Sequence, residues 1–471
     1  FVKERIFMDK YDLLIVGAGP GGYVGALKAA QLGMKVAIAE SRQIGGTCLN
    51  RGCIPTKTLL HSAAILREIK NCATLGIEVA GVDFDFAAMH RRKNQVVEQL
   101  RGGVEALLKA NKIDLLAGKA KVTAIGQTEV AGRTIVADKI LLAAGSVPLL
   151  LPLPGADSAR VLTSDDILSG EQPFFPRLLI IGGGVIGMEF AAFFNDLGGE
   201  VTVLESLDRV LANFDKSISQ NLSMIMKKRG VKVYTAAQAI RMESDEQGIC
   251  CYFRHKEQEL SVTGDALLMA VGRRAASADL VAADMDLQLE RGRIRTDQRY
   301  QTSLSGIYAI GDIRAGGVQL AHGASAEAIN AVSMMAGLEA PLNMNYIPSC
   351  VYTDPEIACV GLTMEQAQAQ GMAAVAGKFL MSANGKNLIE TEDRSFIQVV
   401  AEAGSERLLG AQLMCRRATD MIGGLTTAMV NGLNCQQALA AIYPHPSFSE
   451  GIGEAFEDIH GQSLHTLPKK R

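Results

Sequence analysis

The N-terminal part of the chain alternates between short apolar runs and a glycine-rich turn. An apolar run over 11–16 predicts a buried strand, the segment that ends at Leu32 predicts a helix, and a second apolar run over 35–39 predicts another strand. Three glycines in the spacing G-x-G-x-x-G stand at the turn, namely Gly17, Gly19 and Gly22. The pattern therefore predicts a strand–turn–helix–strand unit.

The same pattern returns in the middle of the chain. Apolar runs over 178–181 and 201–204 flank a helical segment that ends at Leu197. The turn again carries three glycines, Gly182, Gly184 and Gly187. In both copies an acidic residue stands 23 positions after the first glycine, Glu40 in one and Glu205 in the other. The chain therefore contains an internal repeat of a βαβ unit, which predicts an α/β fold.

A turn of this kind is suited to binding a dinucleotide. The first glycine permits the tight turn, the second lets the pyrophosphate approach the backbone, and the third lets helix and strand pack closely. The phosphates lie at the helix N-terminus, and the acid accepts hydrogen bonds from ribose hydroxyls. One such turn is a weak signal, but two complete copies predict two dinucleotides. A carboxylate at Glu205 suits a free 2′-hydroxyl, so we expect NAD rather than NADP there.

Two closely spaced cysteines follow the first unit. Cys48 and Cys53 are five positions apart. In an ideal helix this separates the Cα atoms by about 8–9 Å, whereas a disulfide needs about 4.4–6.8 Å. Gly52 and Pro55 predict the distortion that a bridge would require. A zinc site and two unrelated buried cysteines are competing interpretations, but the spacing is long for zinc and no second ligand pair is near. The preferred hypothesis is a redox-active disulfide without a metal.

The amino-acid composition argues against some classes of function and favours a reducing compartment. The 471 residues include 48 glycines, above the roughly 33 that an average usage of about 7% would give. A net charge of −3 and the absence of tryptophan argue against nucleic acid or an anionic membrane as partner. The nine cysteines, most of them isolated, are typical of a reducing cytoplasm. Residues 1–7 precede Met8 and are interpreted as leader or added sequence.

The segment around the cysteines resembles a known family. Residues 45–57 read GGTCLNRGCIPTK and resemble the redox segment of the flavin-dependent disulfide reductases, and the IPTK tail is most similar to the dihydrolipoamide dehydrogenases among them. Further family segments follow in order, LLAAGSVP at 141–148, AVGRR at 270–274, YAIGD at 308–312, LAHGASAEA at 320–328, VYTDPEIACVGLT at 351–363 and YPHPSFSE at 443–450. The resemblance implies two Rossmann-like, glutathione-reductase-type domains and an α+β dimerisation domain.

The resemblance also implies that the first dinucleotide is FAD and the second is NAD. The residues matching the FAD site are Gly17, Gly19, Gly22, Glu40, Gly46, Thr47, Cys48, Lys57, Gly118, Ala144, Gly145, Ser146, Asp312, Gln319, Leu320, Ala321 and His322. Those matching the NAD site are Gly182, Gly184, Gly187, Glu189, Glu205, Ala239 and Gly272. In the family the lysine matching Lys57 lies near the flavin and pairs with the acid matching Glu189.

A histidine between two prolines matches the catalytic base of the family. Glu450 lies five residues after His445 and is suited to orient its imidazole. Ser447 and Glu450 also match the pattern of a helix capping box. Glu450 can orient His445 and complete this box only if one carboxylate oxygen bonds the histidine and the other bonds Ser447. In the family the peptide bond after this histidine is cis, and the histidine comes from the other subunit, so a homodimer is expected.

The resemblance implies a disulfide exchange mechanism. His445 takes a proton from a dithiol substrate, the thiolate attacks Cys48, and the freed Cys53 lies against the flavin, from which a hydride leaves to NAD⁺.

The expected function is oxidation of protein-bound dihydrolipoamide. The expected partner is the lipoyl domain of a 2-oxo acid dehydrogenase or glycine cleavage complex. The expected domains are an FAD domain at 9–147, an NAD domain at 148–272, a central domain at 273–344 and an interface domain at 345–471.

Some positions depart from the family pattern and keep alternatives open. Arg51 stands where valine is common, Gln398 where lysine is common, and Asp420 where glutamate is usual. A glutathione reductase would need an NADP site and a different tail after the second cysteine. A mercuric reductase would carry a cysteine pair near the C-terminus, where this sequence reads HTLPKKR. A mainly structural subunit of a multienzyme assembly is the remaining alternative.

Overall fold

The computed structural model describes residues 10–390 and 394–467. Residues 1–7, interpreted above as leader or added sequence, lie outside this part of the chain. The described residues form three units, each built around a sheet of five or seven strands. Within the described ranges, no helix combines the length and the apolar character needed to cross a bilayer.

The first unit is a mixed sheet with a parallel centre. Its elements are β1 (Lys10–Val16), α1 (Pro20–Gln31), β2 (Val36–Glu40), α2 (Gly46–Arg51), α3 (Cys53–Asn71), α4 (Phe86–Ala110), β3 (Asp114–Ala117), β4 (Ala120–Ala124), β5 (Gln127–Val130), β6 (Arg133–Leu142) and the later β19 (Ile307–Ala309). The strand order is β3-β2-β1-β6-β5-β4, with β19 also on β6. Leu13 and Ile15 pack toward α1 and α4, and Leu14 and Val16 pack on the opposite face. The strands are continuous apolar runs because both faces of the sheet are covered.

The second unit repeats this arrangement. Its elements are β7 (Ser146–Pro148), β8 (Val161–Leu162), α5 (Ser164–Ser169), β9 (Arg177–Ile181), α6 (Val185–Asp196), β10 (Glu200–Leu204), α7 (Lys216–Lys228), β11 (Lys232–Tyr234), β12 (Ala237–Ser244), β13 (Ile249–His255), β14 (Gln258–Gly264) and β15 (Ala266–Met269). A parallel sheet has the order β11-β10-β9-β15-β8, and β12-β13-β14 form an antiparallel sheet. Phe193 and Phe194 of α6 are fully buried, with ring centroids 5.2 Å apart. The predicted βαβ repeat and α/β fold are confirmed.

The chain then returns to the first unit and ends in an α+β unit. The connecting elements are β16 (Arg273–Ala275), β17 (Leu289–Glu290), β18 (Arg293–Ile294) and α8 (Ala321–Met335). The third unit comprises β20 (Ser349–Val351), β21 (Ile357–Gly361), α9 (Met364–Ala369), β22 (Ala374–Leu380), α10 (Gly385–Glu390), β23 (Phe396–Glu402), β24 (Leu408–Met414), α11 (Ala418–Val430), α12 (Cys435–Leu439) and α13 (Glu450–Asp458). Its five strands pair antiparallel in the order β20-β21-β24-β23-β22.

The helix that carries the cysteines is interrupted between them. α2 ends at Arg51 and α3 begins at Cys53, with Gly52 between them at φ −145° and ψ −109°. A Cβ added at Gly52 would lie 3.0 Å from the Thr47 carbonyl oxygen, so the two helices meet where no side chain fits easily. The predicted distortion at Gly52 is confirmed, and it turns the second cysteine toward the first.

Candidate active site

Two thiols face each other across the break between α2 and α3. Cys48 and Cys53 are both free thiols, and Cys48 donates a hydrogen bond to Cys53. This bond lowers the pKa of Cys53 to about 7, against the effect of burial and with help from the positive charge of Lys57. The same bond, together with burial, raises the pKa of Cys48. The thiolate of the pair therefore belongs to Cys53.

An ion pair lies one helical turn beyond the second thiol. The Nζ atom of Lys57 in α3 donates to both carboxylate oxygens of Glu189 in α6, at 3.0 and 2.8 Å. The Glu189 side chain is only 4% exposed. Its Oε1 also accepts the backbone N–H of Tyr352 at 3.0 Å, and the Lys57 Nζ lies 4.5 Å from the centre of the Tyr352 ring. The ion pair thus joins all three units beside the thiols.

The first glycine turn leaves its helix N-terminus uncovered. Gly17 has φ +103°, and a Cβ added there would lie 2.5 Å from the Ala143 carbonyl oxygen. A Cβ at Gly22 would lie 1.8 Å from the Gly17 oxygen, so the strand and helix approach more closely than any side chain allows. Gly19 is the N-cap of α1 and makes no side-chain cap bond. The free N–H groups at this end fit a pyrophosphate.

The second glycine turn reproduces the first. Gly182 has φ +108°, and a Cβ there would lie 2.4 Å from the Ala270 oxygen. A Cβ at Gly187 would lie 1.9 Å from the Gly182 oxygen, and the N-cap of α6, Gly184, is again uncapped. Two turns with the same glycine contacts and the same bare helix N-terminus fit two dinucleotides.

The acids of the two repeats are held in the same way. Oε2 of Glu40 accepts the N–H of Ala18 at 2.8 Å, and Oε2 of Glu205 accepts the N–H of Gly183 at 2.6 Å. In both acids Oε1 accepts the N–H two residues later in the chain, at 2.7 Å in each case. Each carboxylate is therefore fixed beside its glycine turn, where a ribose would lie. Ala239 lies on β12, two residues after Ala237, whose N–H donates to the Glu205 carbonyl at 2.9 Å.

Several other residues predicted for the first site lie around its turn. A Cβ at Gly46 would lie 2.5 Å from the Gly19 Cα atom, so the start of α2, with Thr47, touches the glycine turn. Gly118 donates its N–H to the Glu40 carbonyl at 2.8 Å. Ala144 and Gly145 follow β6 at the edge where the turn lies.

The family segment YAIGD at 308–312 is joined to this edge by hydrogen bonds of its last residue, Asp312. Ser146 Oγ donates to Asp312 Oδ2 at 2.5 Å and accepts Nε of Arg273 at 2.8 Å. The side chain of Gln319 donates to the Arg273 carbonyl at 3.3 Å. The predicted residues Gln319, Leu320, Ala321 and His322 stand at the N-terminus of α8. Gly272, from the second predicted set, directly precedes β16 with φ +115°.

The histidine of the third unit is paired with a glutamate. His445 Nδ1 lies 2.9 Å from Oε1 of Glu450, and Oε2 accepts the Ser447 N–H at 2.8 Å, so the carboxylate divides its two oxygens. Although burial opposes it, these contacts keep the pKa of Glu450 below its usual value. α13 begins at Glu450 with Ser449 as N-cap and no side-chain cap, so only half of the predicted capping box forms: Glu450 accepts the Ser447 N–H, while the Ser447 hydroxyl bonds Ser449.

Within the described chain, the histidine and the thiols are not brought together. The His445 side chain is 79% exposed, and its ring is bonded to Glu450. The peptide bond to Pro446 is cis, as the resemblance implies. This side chain is therefore available to a second copy of the chain rather than to its own thiol pair.

Three contacts of the site could not be predicted from the sequence. Tyr352 was part of a recognised segment, but its backbone bond to Glu189 had no signal in the sequence. Arg273 lies in the AVGRR segment, which does not by itself indicate that its guanidinium group orients Ser146. The unusual charge of Arg51 is compensated by Asp165, whose Oδ2 lies 3.9 Å from its Nε.

Comparison with known proteins gives a consistent result. A sequence model of the pyridine nucleotide-disulphide oxidoreductases matches residues 11–328, and the model of their dimerisation domain matches residues 347–456. Curated relatives named dihydrolipoyl dehydrogenase include one from Bacillus subtilis, 37% identical over 97% of this chain and 99% of its own. Another, from Thermus scotoductus, is 37% identical over 98% of this chain and 100% of its own.

A solved structure is similar over nearly the whole chain. The HOCl-induced flavoprotein disulfide reductase RclA from Escherichia coli superposes with a TM-score of 0.84 at 29% identity, covering 95% of this chain and 99% of that one. The shared fold therefore includes the α+β unit as well as both α/β units.

The two thiols should titrate very differently. In a Cys48→Ser variant, whose hydroxyl still donates to Cys53, the rate of Cys53 alkylation should rise with pH about a midpoint near 7. In Cys53→Ser, Cys48 should stay protonated and react slowly through neutral pH, because burial disfavours its thiolate. Site-resolved mass spectrometry of iodoacetamide labelling measures both profiles. A low midpoint at Cys48 in place of Cys53 would contradict the assignment.

Proposed function

The chain belongs to the pyridine nucleotide-disulphide oxidoreductase family, an FAD- and NAD-dependent group of disulfide oxidoreductases, and on this premise we propose that it acts as a dihydrolipoamide dehydrogenase. It would oxidise protein-bound dihydrolipoamide to lipoamide and pass the electrons to NAD⁺. The observation that carries this proposal is the hydrogen-bonded thiol pair, Cys48 and Cys53, next to the Lys57–Glu189 ion pair. The names of the curated relatives support the same substrate.

The glycine turns are assigned to the two cofactors. FAD would be held at the first turn by Gly17, Gly19, Gly22 and Glu40, and NAD at the second by Gly182, Gly184, Gly187 and Glu205. Bound FAD supplies a two-electron acceptor between the disulfide and NAD⁺. The carboxylate of Glu205, already fixed by two backbone N–H groups, suits a ribose with a free 2′-hydroxyl and repels a 2′-phosphate.

The thiol pair exchanges disulfide bonds with the substrate. When the pair is oxidised, a substrate thiolate attacks Sγ of Cys48, forming a mixed disulfide and releasing Cys53 as a thiolate. The second substrate thiol then attacks the substrate sulfur held by Cys48, which closes the lipoamide ring and frees Cys48. The low pKa of Cys53 makes it the better leaving group in the first step.

The ion pair stabilises the anion formed in that step. Lys57 holds a positive charge one turn from Cys53, where it favours the thiolate. Glu189 fixes the position of the ammonium group through both of its oxygens. Glu189 alone would disfavour the thiolate, so its negative charge must be neutralised by Lys57 for Cys53 to ionise readily.

The substrate proton is accepted by a histidine of the other subunit. Nδ1 of His445 is bonded to Glu450, so Nε2 is the atom that can take a proton from the substrate thiol. The exposure of His445 in one chain and the match to a dimerisation domain support a homodimer in which each histidine serves the thiols of its partner.

The partner, the compartment and the domain division belong to the same proposal. The substrate dithiol would be carried by the lipoyl domain of a 2-oxo acid dehydrogenase or glycine cleavage complex. A cytoplasmic location is supported by the sequence, in which most of the nine cysteines are isolated, as is typical of proteins in a reducing compartment. The proposed division into FAD, NAD, central and interface domains at 9–147, 148–272, 273–344 and 345–471 is supported by the separate main sheets of the first, second and last of these segments.

Steady-state assays test the substrate directly. The protein with FAD bound should reduce NAD⁺ with dihydrolipoamide, and NADH should reduce lipoamide, whereas NADPH with glutathione disulfide should support little turnover. Turnover with glutathione disulfide alone would favour a different reductase, and absence of turnover in every pairing would favour a structural subunit.

A histidine replacement tests the proton acceptor. His445→Gln should lower kcat for dihydrolipoamide oxidation by roughly 10²–10⁴-fold, the usual contribution of general base catalysis. His460→Gln is the matched control, because His460 also pairs with a glutamate, its Nε2 lying 3.1 Å from Oε1 of Glu406, and it should leave kcat unchanged. Equal effects of the two replacements would count against the assigned role.

Replacement of the second acid tests the choice of nicotinamide cofactor. Glu205→Ala removes the ribose acceptor and the charge that repels a 2′-phosphate, so KM for NADH should rise by roughly 10-fold or more while KM for NADPH changes less. A control at the first acid is unsuitable because FAD would be lost. An unchanged ratio of the two KM values would contradict the assigned role of Glu205.

A further inference from the structure

Helices α3 and α6 are cross-linked by two ion pairs at different heights. Lys57 pairs with Glu189 near the thiols, and Arg67 NH1 donates to Asp196 Oδ2 at 2.5 Å further along both helices. Ten residues of α3 separate the two contacts, which is about 15 Å along the helix axis. The mechanism above uses only the first of these pairs.

A short segment of the third unit touches both pairs. The backbone N–H of Tyr352 donates to Glu189 at the first pair, and two residues later Asp354 Oδ2 lies 3.0 Å from NH2 of Arg67 at the second. Between them, the buried Thr353 donates its hydroxyl to the Pro355 carbonyl at 2.9 Å. The segment 352–354 therefore connects the distant ion pair to the one beside the thiols over three residues of short, internally bonded chain.

Arginines from all three units meet at the carboxylate of Asp354. Besides Arg67 from α3, it contacts NH2 of Arg229, at the end of α7, at 2.8 Å and Nε of Arg416, after β24, at 3.9 Å. The Asp354 side chain is 18% exposed. Burial opposes ionisation, but Arg67 and Arg229 outweigh it and hold the pKa of Asp354 below its usual value. Asp354 is thus ionised at neutral pH and surrounded by positive charge.

We propose that Asp354 is a positioning residue that fixes segment 352–354 and, through the Tyr352 backbone and ring, holds the Lys57–Glu189 pair in place beside Cys48 and Cys53. If Asp354 loses its charge, three guanidinium groups lose the carboxylate that they share. Segment 352–354 then loses the ion pairs that attach it to α3 and α7. Tyr352 then no longer donates steadily to Glu189, and its ring no longer confines the Lys57 ammonium. The proposal rests on the proposed function only in assigning Lys57 a role at the thiols.

The consequence is measurable at Cys53 without any turnover. Lys57 favours the Cys53 thiolate and Glu189 disfavours it, so displacement of the ammonium should make the thiolate harder to form. The titratable groups facing Cys53 are Cys48, Lys57, Glu189 and the phenol of Tyr352, and none of them is itself replaced by a change at Asp354. A shift in the thiol titration would therefore report movement of the ion pair.

The test is the pH profile of Cys53 alkylation in the reduced protein with FAD bound. Asp354→Asn should move the midpoint upward by roughly half a unit or more, since an opposite charge in contact shifts a pKa by about 1–3 units. It should also lower kcat for lipoamide reduction by NADH about 10-fold or more, with a smaller change in KM. Asp354→Glu, which keeps the charge, should restore the midpoint at least in part.

Glu365→Gln is the matched control. Glu365 also reaches from the third unit to an arginine of the second, with its Oε2 3.3 Å from Arg209 NH2, but it does not adjoin segment 352–354. This variant should keep the wild-type midpoint. An unchanged midpoint in Asp354→Asn, or an equal shift in Glu365→Gln, would overturn the proposal.

A milder variant keeps the test decisive if Asp354→Asn fails to fold. Arg229→Gln removes one guanidinium contact and leaves Arg67 on Asp354, so a smaller upward shift is expected, and no shift would overturn the proposal. If the wild-type protein failed to oxidise dihydrolipoamide while the midpoint still moved in Asp354→Asn, the proposed substrate would fail and the positioning role of Asp354 would stand.

Discussion

The ion pair between Lys57 and Glu189 is the contact on which the site depends. It joins α3, which begins with Cys53, to α6, which begins at the second glycine turn. A carboxylate buried to this degree is costly unless a cation and further donors satisfy it, and Glu189 has both Lys57 and the Tyr352 N–H. The requirement to pair one buried acid therefore fixes three units relative to one another.

The chemistry follows from what surrounds this contact. On one side lies a thiol pair whose hydrogen bond and neighbouring lysine give one sulfur a low pKa and leave the other protonated. On the other side lies α6, whose N-terminus has no side-chain cap. Next to it, Glu205 is held in the position where a ribose would lie. Lys57 favours the Cys53 thiolate and is bonded to Glu189 of α6, so its charge is available to both half-reactions.

The sequence predicts the local parts of this arrangement well. Glycine spacing identifies both turns because only glycine tolerates the approach seen at Gly22 and Gly187, and Gly52 identifies the break between the cysteines. The partnership of Lys57 with Glu189 was available only through the family resemblance, since 132 residues separate them. Asp354 lies in the family segment at 351–363, but the sequence does not reveal its three arginine partners, because they come from distant parts of the chain and only folding brings them together.

The central claim is that the second nucleotide and the thiol pair form one electron path. Its most direct measurement is differential alkylation of the nine cysteines before and after anaerobic reduction of the oxidised protein, with FAD bound, by NADH. The account predicts that NADH makes Cys48 and Cys53 newly reactive and leaves the other seven cysteines unchanged. Failure of NADH to expose this pair, or exposure of a different pair such as Cys350 and Cys359, would contradict it.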